Sequence, residues 1–278
     1  MGKHTTPWGF QKTKYIICAK GSRDVNNGNG SYDMGTPTSQ TEAATELIIN
    51  RLTVISLLQQ GTISKSDCIV TLPERKFLYQ NIFDNIEEWD GQTGIDIVAG
   101  KYYEQLPYKP FYGNYERDKE LIFNIPYNDN ILNSDIGKFL ICIPRLKNSD
   151  TRRNLPQCEW KDFINHVKRN FDKVIVFGKG NEALDNGNDI LYVNTLQDYC
   201  SYLHHKNCKH VVSTISGPCH YVQQFGNVDG NCTLTMIDNH GLIKKYGHDP
   251  SYFDPCINFT NVKINYVNSL KELKEQKW

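Results

Sequence analysis

From Phe139 to Asp238 the chain alternates short apolar runs with stretches of helical periodicity, and this alternation limits the possible folds more than any other feature. Phe139-Leu140-Ile141-Cys142-Ile143 reads as a strand. Glu159 to Phe171 reads as a helix, with Trp160, Phe163, Ile164 and Val167 apolar at helical spacing. Lys173 to Phe177 is a second strand, ending in Gly178-Lys179-Gly180. Asp189 to Val193 is a third, and Thr195 to His205 a helix capped by Thr195. His210 to Ser213, Ser216 to Phe225 and Thr233 to Ile237 continue as strand, helix and strand. Strands alternating with helices predict βαβ units and a parallel sheet. Right-handed crossovers then put helices on both of its faces.

The first half reads less regularly. Lys14 to Ala19 is an apolar run typical of a buried strand. A polar loop from Lys20 to Thr38 follows, carrying Gly21, Gly28, Gly30 and Gly35. Glu42 to Gln60 has helical periodicity, with Leu47, Ile48, Leu52, Ile55 and Leu58 on one side, and Gly61 is placed to end it. Asp67 to Leu72 is expected as a strand, Pro73 to Trp89 as a helix and Gly94 to Val98 as a strand. Lys101 to Tyr115 is rich in Tyr and Pro and reads as loop. Asn268 to Trp278 looks like a charged, amphipathic final helix. The seam between the halves lies near Asn124 to Lys138. The expected division is an N-terminal domain over 1–130, a C-terminal domain over 131–265 and a helix over 266–278.

Charge excludes one class of partner. Lys plus Arg and Asp plus Glu are 31 each, so no global field draws the chain onto nucleic acid or an anionic membrane, and any anion site must be local. The nine Cys form no Cys-x-x-Cys pair, and Cys18, Cys68 and Cys142 lie in apolar runs. That pattern suits buried free thiols in a reducing compartment. No apolar run approaches the roughly 20 residues that cross a bilayer, and no secretory segment opens the chain, so a cytoplasmic protein without a transmembrane segment is expected. Met1-Gly2-Lys3-His4-Thr5-Thr6 fits the permissive N-myristoylation pattern, and one acyl chain alone anchors only marginally. The sequence contains no Asp-x-Asp, no His-x-x-x-His and no Gly-x-Ser-x-Gly, so neither a metal site nor a hydrolase elbow is expected.

In an open parallel sheet, ligands lie beyond the carboxyl ends of the strands. The loops leaving each strand therefore carry the candidate residues. After Val212 comes Ser213-Thr214-Ile215-Ser216-Gly217-Pro218. Ser216 is placed to act as N-cap and Pro218 fits a first helical turn. Free N–H groups and the helix dipole there favour an anion, although the same letters also serve simply to start a helix. After Ile143 come Pro144-Arg145 and then Arg152 and Arg153, whose forks suit phosphate oxygens or merely line a solvated loop. Gly178-Lys179-Gly180 offers a flexible turn with one cation. Thr195 and Leu196 follow the third strand, with Thr195 either contacting a sugar or base or only capping. Cys219 stands at a helix N-terminus, where a thiol pKa can fall, or is a buried structural thiol. In the first half, Gly21, Ser22, Asp24 and Asp33 occupy the loop after the first strand, where a buried carboxylate would serve as a general base.

With two Rossmann-like halves, a phosphate-type turn in the second and a carboxylate-bearing loop after the first strand, the chain resembles GT-B glycosyltransferases, especially the heptosyltransferase-like and fucosyltransferase-like members. The resemblance implies an α/β fold of two Rossmann-like domains with parallel sheets and a cleft between them. It implies a nucleotide diphosphate sugar as donor, no cofactor and no metal. The acceptor would be a glycan or another hydroxyl compound, receiving a hexosyl or pentosyl group. Arg145, Arg152, Arg153 and Ser216-Gly217-Pro218 would face the diphosphate, joined by Ser213, Gly178, Lys179, Thr195, Leu196, Gly21 and Ser22. Asp24, or else Asp33, would be the base. The Asn- and Lys-rich composition would suit an enzyme of a large DNA virus, including the small glycosyltransferases of algal viruses. A non-catalytic nucleotide- or sugar-binding protein and a Rossmann-type methyltransferase are the alternatives.

Overall fold

A computed structural model describes residues 15–17, 51, 54–88, 97–98, 120–121, 123–146, 154–178, 180–185, 189–226, 232–239, 241, 260 and 262–278. The chain divides into two units, with the change between Pro126 and Tyr127.

In the first unit, apolar or β-branched runs form β1 (Tyr15–Ile17), β2 (Cys68–Thr71), β3 (Asn85–Glu88) and β4 (Ile97–Val98). All pairings are parallel, in the order β3-β2-β1-β4. Residues 54–59 form the helix α1, which buries Val54, Ile55 and Leu57. Gly61 ends it as the sequence predicts. Its φ of 68° lets the Thr62 N–H reach Leu57 O (3.0 Å) and its own N–H reach Leu58 O (3.1 Å), which satisfies the last-turn carbonyls. Arg51 is fully buried, with Nε donating to Leu78 O (2.8 Å) and an Nη donating to Leu121 O (2.9 Å).

One expectation fails here. Pro73 to Trp89 is not a helix. Pro73–Leu78 is a six-residue 3-10 helix with proline in its first turn, and β3 follows beside β2. The Glu-rich segment has a helix-former's composition. Pairing with β2 overrides that weak preference at a sheet edge, where Asn85, Glu87 and Glu88 all stay exposed.

The second unit opens with Tyr127 stacked on His204 at 4.4 Å. Next comes a single helical turn, α2 (Asp129–Leu132), whose N-cap Asn128 also donates to Asp198 Oδ1 (2.8 Å). The strands are β5 (Phe139–Ile143), β6 (Lys173–Phe177), β7 (Ile190–Val193), β8 (Cys208–Thr214), β9 (Thr233–Ile237) and β10 (Lys263–Val267). They form one parallel sheet ordered β10-β9-β8-β5-β6-β7. Counted from β5, this is the Rossmann order 3-2-1-4-5-6, with its topological switch point between β5 and β8.

The helices are α3 (Gln157–Val167), α4 (Leu196–His204), α5 (Pro218–Phe225) and α6 (Leu270–Lys274). Alternation along each strand divides the core in two. Leu140, Cys142, Val174, Val176, Val212, Ile237 and Val267 meet Trp160, Phe163 and Ile164 of α3 and Leu270 and Leu273 of α6. Residues pointing the other way meet α4: Phe177 stacks on Tyr199 at 4.0 Å and Phe139 meets Tyr202 edge-on at 5.9 Å, and Tyr199 in turn contacts Tyr221 of α5. The final segment differs from expectation, because residues 266 and 267 lie in β10. The helix is only Leu270–Lys274, capped by the Ser269 hydroxyl.

Candidate functional site

All six strands of the second sheet run in one direction, so the loops after β5, β6, β7 and β8 emerge at one edge. The switch point sorts them. β5 leads into α3 on one face of the sheet and β8 into α5 on the other. The two loops therefore part at neighbouring strand ends, the place where open sheets of this order bind ligands. Ile143 is paired with Ser213 there, and the Ser213 hydroxyl lies 3.4 Å from Ile143 O and 2.7 Å from Thr214 O.

On the β8 side, Ser216 does not cap the helix. Its hydroxyl lies 3.3 Å from that of Ser213, and the cap is Gly217, already helical at φ −50° and ψ −42°, with no side-chain cap. Pro218 has no N–H, and the Cys219 N–H donates to Ser216 O (3.1 Å). Among the described residues no acceptor meets the N–H of Gly217, while that of Ser216 faces the Cys219 thiol. Among the described residues helix α5 begins without a side-chain cap or an acidic residue in its first turn, so its positive dipole end is a suitable environment for an anion. The turn is held from beneath: Tyr199, buried between Phe177 and Tyr221, donates its hydroxyl to Pro218 O (3.0 Å). Burial raises the Tyr199 pKa, so the phenol keeps the proton it donates. Burial also raises the Cys219 pKa, and its thiol donates weakly to Thr214 O at 3.6 Å. Burial outweighs the hydrogen bonds from Ser213, Ser216 and its own N–H, which pull the pKa down.

On the β5 side stands Arg145, with 9% of its surface exposed and Nη1 donating to Asn154 Oδ1 (2.7 Å). The neutral amide is one partner of the guanidinium fork. Arg145 and the Ser216-Gly217-Pro218 turn thus follow adjacent strands at the same end of the sheet. Two buried oxygens at these strand ends, Thr214 Oγ1 and Asn181 Oδ1, have no partner among the described residues.

The remaining residues predicted from the sequence are less convergent. Gly178 follows β6, one strand further out, in left-handed backbone at φ 112°. Thr195 follows β7, three strand spacings from β8, or roughly 14 Å. Its hydroxyl accepts the Asp198 N–H (3.1 Å) as the cap of α4, and Leu196 is buried in the core. One phosphate cannot touch both Thr195 and Ser216. Gly21, Ser22, Asp24, Asp33, Arg152, Arg153 and Lys179 lie outside the described residues. The sequence reading missed Asn181 and Asn154. Asn181 directly follows the glycine turn, which was its only signal. Among the described residues no group of three or more His, Cys, Asp or Glu could hold a metal ion, and no helix is long and apolar enough to cross a membrane.

No protein-family model matches the chain. Over 209 residues it is 26% identical to part of the DNA-directed RNA polymerase subunit beta of Aster yellows witches'-broom phytoplasma (strain AYWB), covering 71% of this chain. The chain spans 14% of that subunit's length, too small a share to assign it a polymerase role. Among solved structures, E. coli ADP-heptose lps heptosyltransferase II superposes with a TM-score of 0.53 at 10% identity, over 95% of this chain and 97% of that one. E. coli heptosyltransferase WaaC with ADP gives a TM-score of 0.44 at 10% identity, too low for a fold argument. Strand order and the first of these likenesses define the class: an α/β protein with parallel sheets, of the kind seen in GT-B heptosyltransferases. That structure is bacterial and lends no support to a viral source.

Proposed function

We propose that the protein is a glycosyltransferase that moves a sugar from a nucleotide diphosphate sugar to an acceptor hydroxyl without a metal ion. The observation that carries this reading is the placement, on the adjacent strands at the switch point, of Arg145 after β5 and the start of α5, which has no side-chain cap, after β8. The fold supports it, since the solved structure sharing it is a heptosyltransferase named for ADP-heptose. Whether the sugar here is a hexose, a pentose or a heptose is a matter of the donor pocket.

In this reading the bond from the anomeric carbon to the diphosphate breaks, and its electrons pass to the departing diphosphate. Arg145, with Arg152 and Arg153, and the first-turn N–H groups stabilise that charge, in place of a metal. The acceptor oxygen bonds to the anomeric carbon, and Asp24, or else Asp33, takes its proton.

Thermal-shift titration separates the alternatives. Nucleoside diphosphates and their sugar conjugates should stabilise the protein, and Arg145→Ala should lower their affinity by about tenfold or more, as expected for a charge-assisted contact of 1.5–3 kcal/mol. Stabilisation by S-adenosylmethionine and by no diphosphate would indicate a methyltransferase. Binding without turnover of any sugar donor would indicate a binding protein. Transfer unchanged by Asp24→Asn and Asp33→Asn would remove the base assignment.

A further inference from the structure

We propose that Asn181 is a positioning residue that fixes Arg145 through the backbone. This inference rests on the diphosphate reading of that site. Asn181 is fully buried, and its Nδ2 donates to Pro144 O (3.0 Å) and Phe177 O (3.2 Å). The first of these carbonyls belongs to the peptide that enters Arg145; the second ends β6. One amide therefore ties the β5 loop to the end of β6. Both neighbours are acceptors, so the NH2 group must face them and the orientation of the amide is set by chemistry. Oδ1 is left buried without a partner among the described residues. An unmet buried acceptor costs about 1–3 kcal/mol, and a position serving only to fill space would not keep it.

The neighbouring loop is built to deliver this side chain. Gly178 and Gly180 both adopt positive φ, 112° and 90°, and turn the chain back so that the Asn181 N–H meets Gly178 O (3.3 Å). A Cβ on Gly180 would stand 3.2 Å from Leu146 Cδ1, so the two loops are in close contact one residue beyond Arg145. Gln157, in the first turn of α3, donates Nε2 to Gly180 O (3.0 Å). Arg145 is thus oriented at its head by Asn154 and at its root by Asn181.

Binding of a nucleoside diphosphate and of its parent nucleoside, measured by calorimetry, tests this. Asn181→Ala and the isosteric Asn181→Asp, which sets an acceptor against two carbonyls, should each weaken the diphosphate about tenfold, the equivalent of one lost buried bond. Nucleoside binding should stay unchanged. Combined with Arg145→Ala, either should add nothing further, since both act through the same guanidinium. Equal loss for nucleoside and diphosphate, additivity with Arg145→Ala, or failure of both variants to fold would overturn the proposal, by making Asn181 a residue of the fold alone. If wild-type protein binds no diphosphate, the functional reading itself fails. If Arg145→Ala weakens binding and the Asn181 variants do not, only the present inference fails.

Discussion

His210 shows how a residue's surroundings override its ordinary chemistry. It sits on β8 with its ring edge-on to Trp278 at 5.2 Å and to Phe171 at 5.8 Å. Burial, then the charge of Lys138, pushes its pKa down from the usual 6.5 to about 4. The unfolded chain therefore binds a proton at pH values where the folded one does not. The folded protein should lose stability as pH falls from about 6.5 toward 4, and above that window the residue contributes no pH dependence. Because the ring is partly exposed, the loss is roughly 1 kcal/mol, well below a full conversion of the shift. Chemical denaturation at pH 7 and pH 4.5 should show a smaller drop for His210→Phe than for wild type. An identical drop would remove His210 from the account.

At the scale of elements, the caps decide which helix start is open to a ligand. α4 begins with the Thr195 hydroxyl closing on the Asp198 N–H, whereas α5 begins with Gly217 and, among the described residues, no side-chain cap. Thr195→Ala should therefore cost about 1 kcal/mol of stability and leave nucleoside diphosphate affinity unchanged. A loss of affinity comparable to that of Arg145→Ala would instead return Thr195 to the donor site. Elements central to the sheet were legible in the sequence because both faces of a buried parallel strand are apolar: β5 is buried at every position, as its run of Phe, Leu, Ile and Cys implies. The edges were not. β3 leaves Asn85, Glu87 and Glu88 in solvent, and β10 exposes Lys263 and only partly buries Ile264, Asn265 and Tyr266. An edge strand needs only a neighbour, and its composition does not announce one.

At the scale of the whole molecule, the thiols follow the core. Cys68, Cys142, Cys200, Cys208, Cys219 and Cys232 are buried free thiols, and among the described cysteines only Cys158 is exposed. Burial pushes the Cys68 pKa up to about 11, with the charge of Glu87 adding to it. Alkylation of native protein with iodoacetamide at pH 8, followed by peptide mass mapping, should modify Cys158 first of these seven, with the rest requiring denaturant. Equally fast labelling of Cys219 would mean that the helix terminus activates that thiol after all.

By itself the sequence determined the class of fold: alternating apolar runs and amphipathic helices can bury their faces only as a parallel sheet with helices on both sides. It also marked the β8 turn and Arg145 as candidates, because strand-end loops are readable from local letters. The strand order belonged to the tertiary structure. No local propensity states that β8 returns to lie beside β5, yet that placement sets Arg145 and the α5 terminus on adjacent strands and leaves Thr195 three strands away. The same holds for Asn181, whose partners Pro144 O and Phe177 O lie at the ends of β5 and β6, brought together only by the pairing of those strands. Hydrogen bonds between distant loops depend on which strands are neighbours, and that is decided by the packing of the whole sheet.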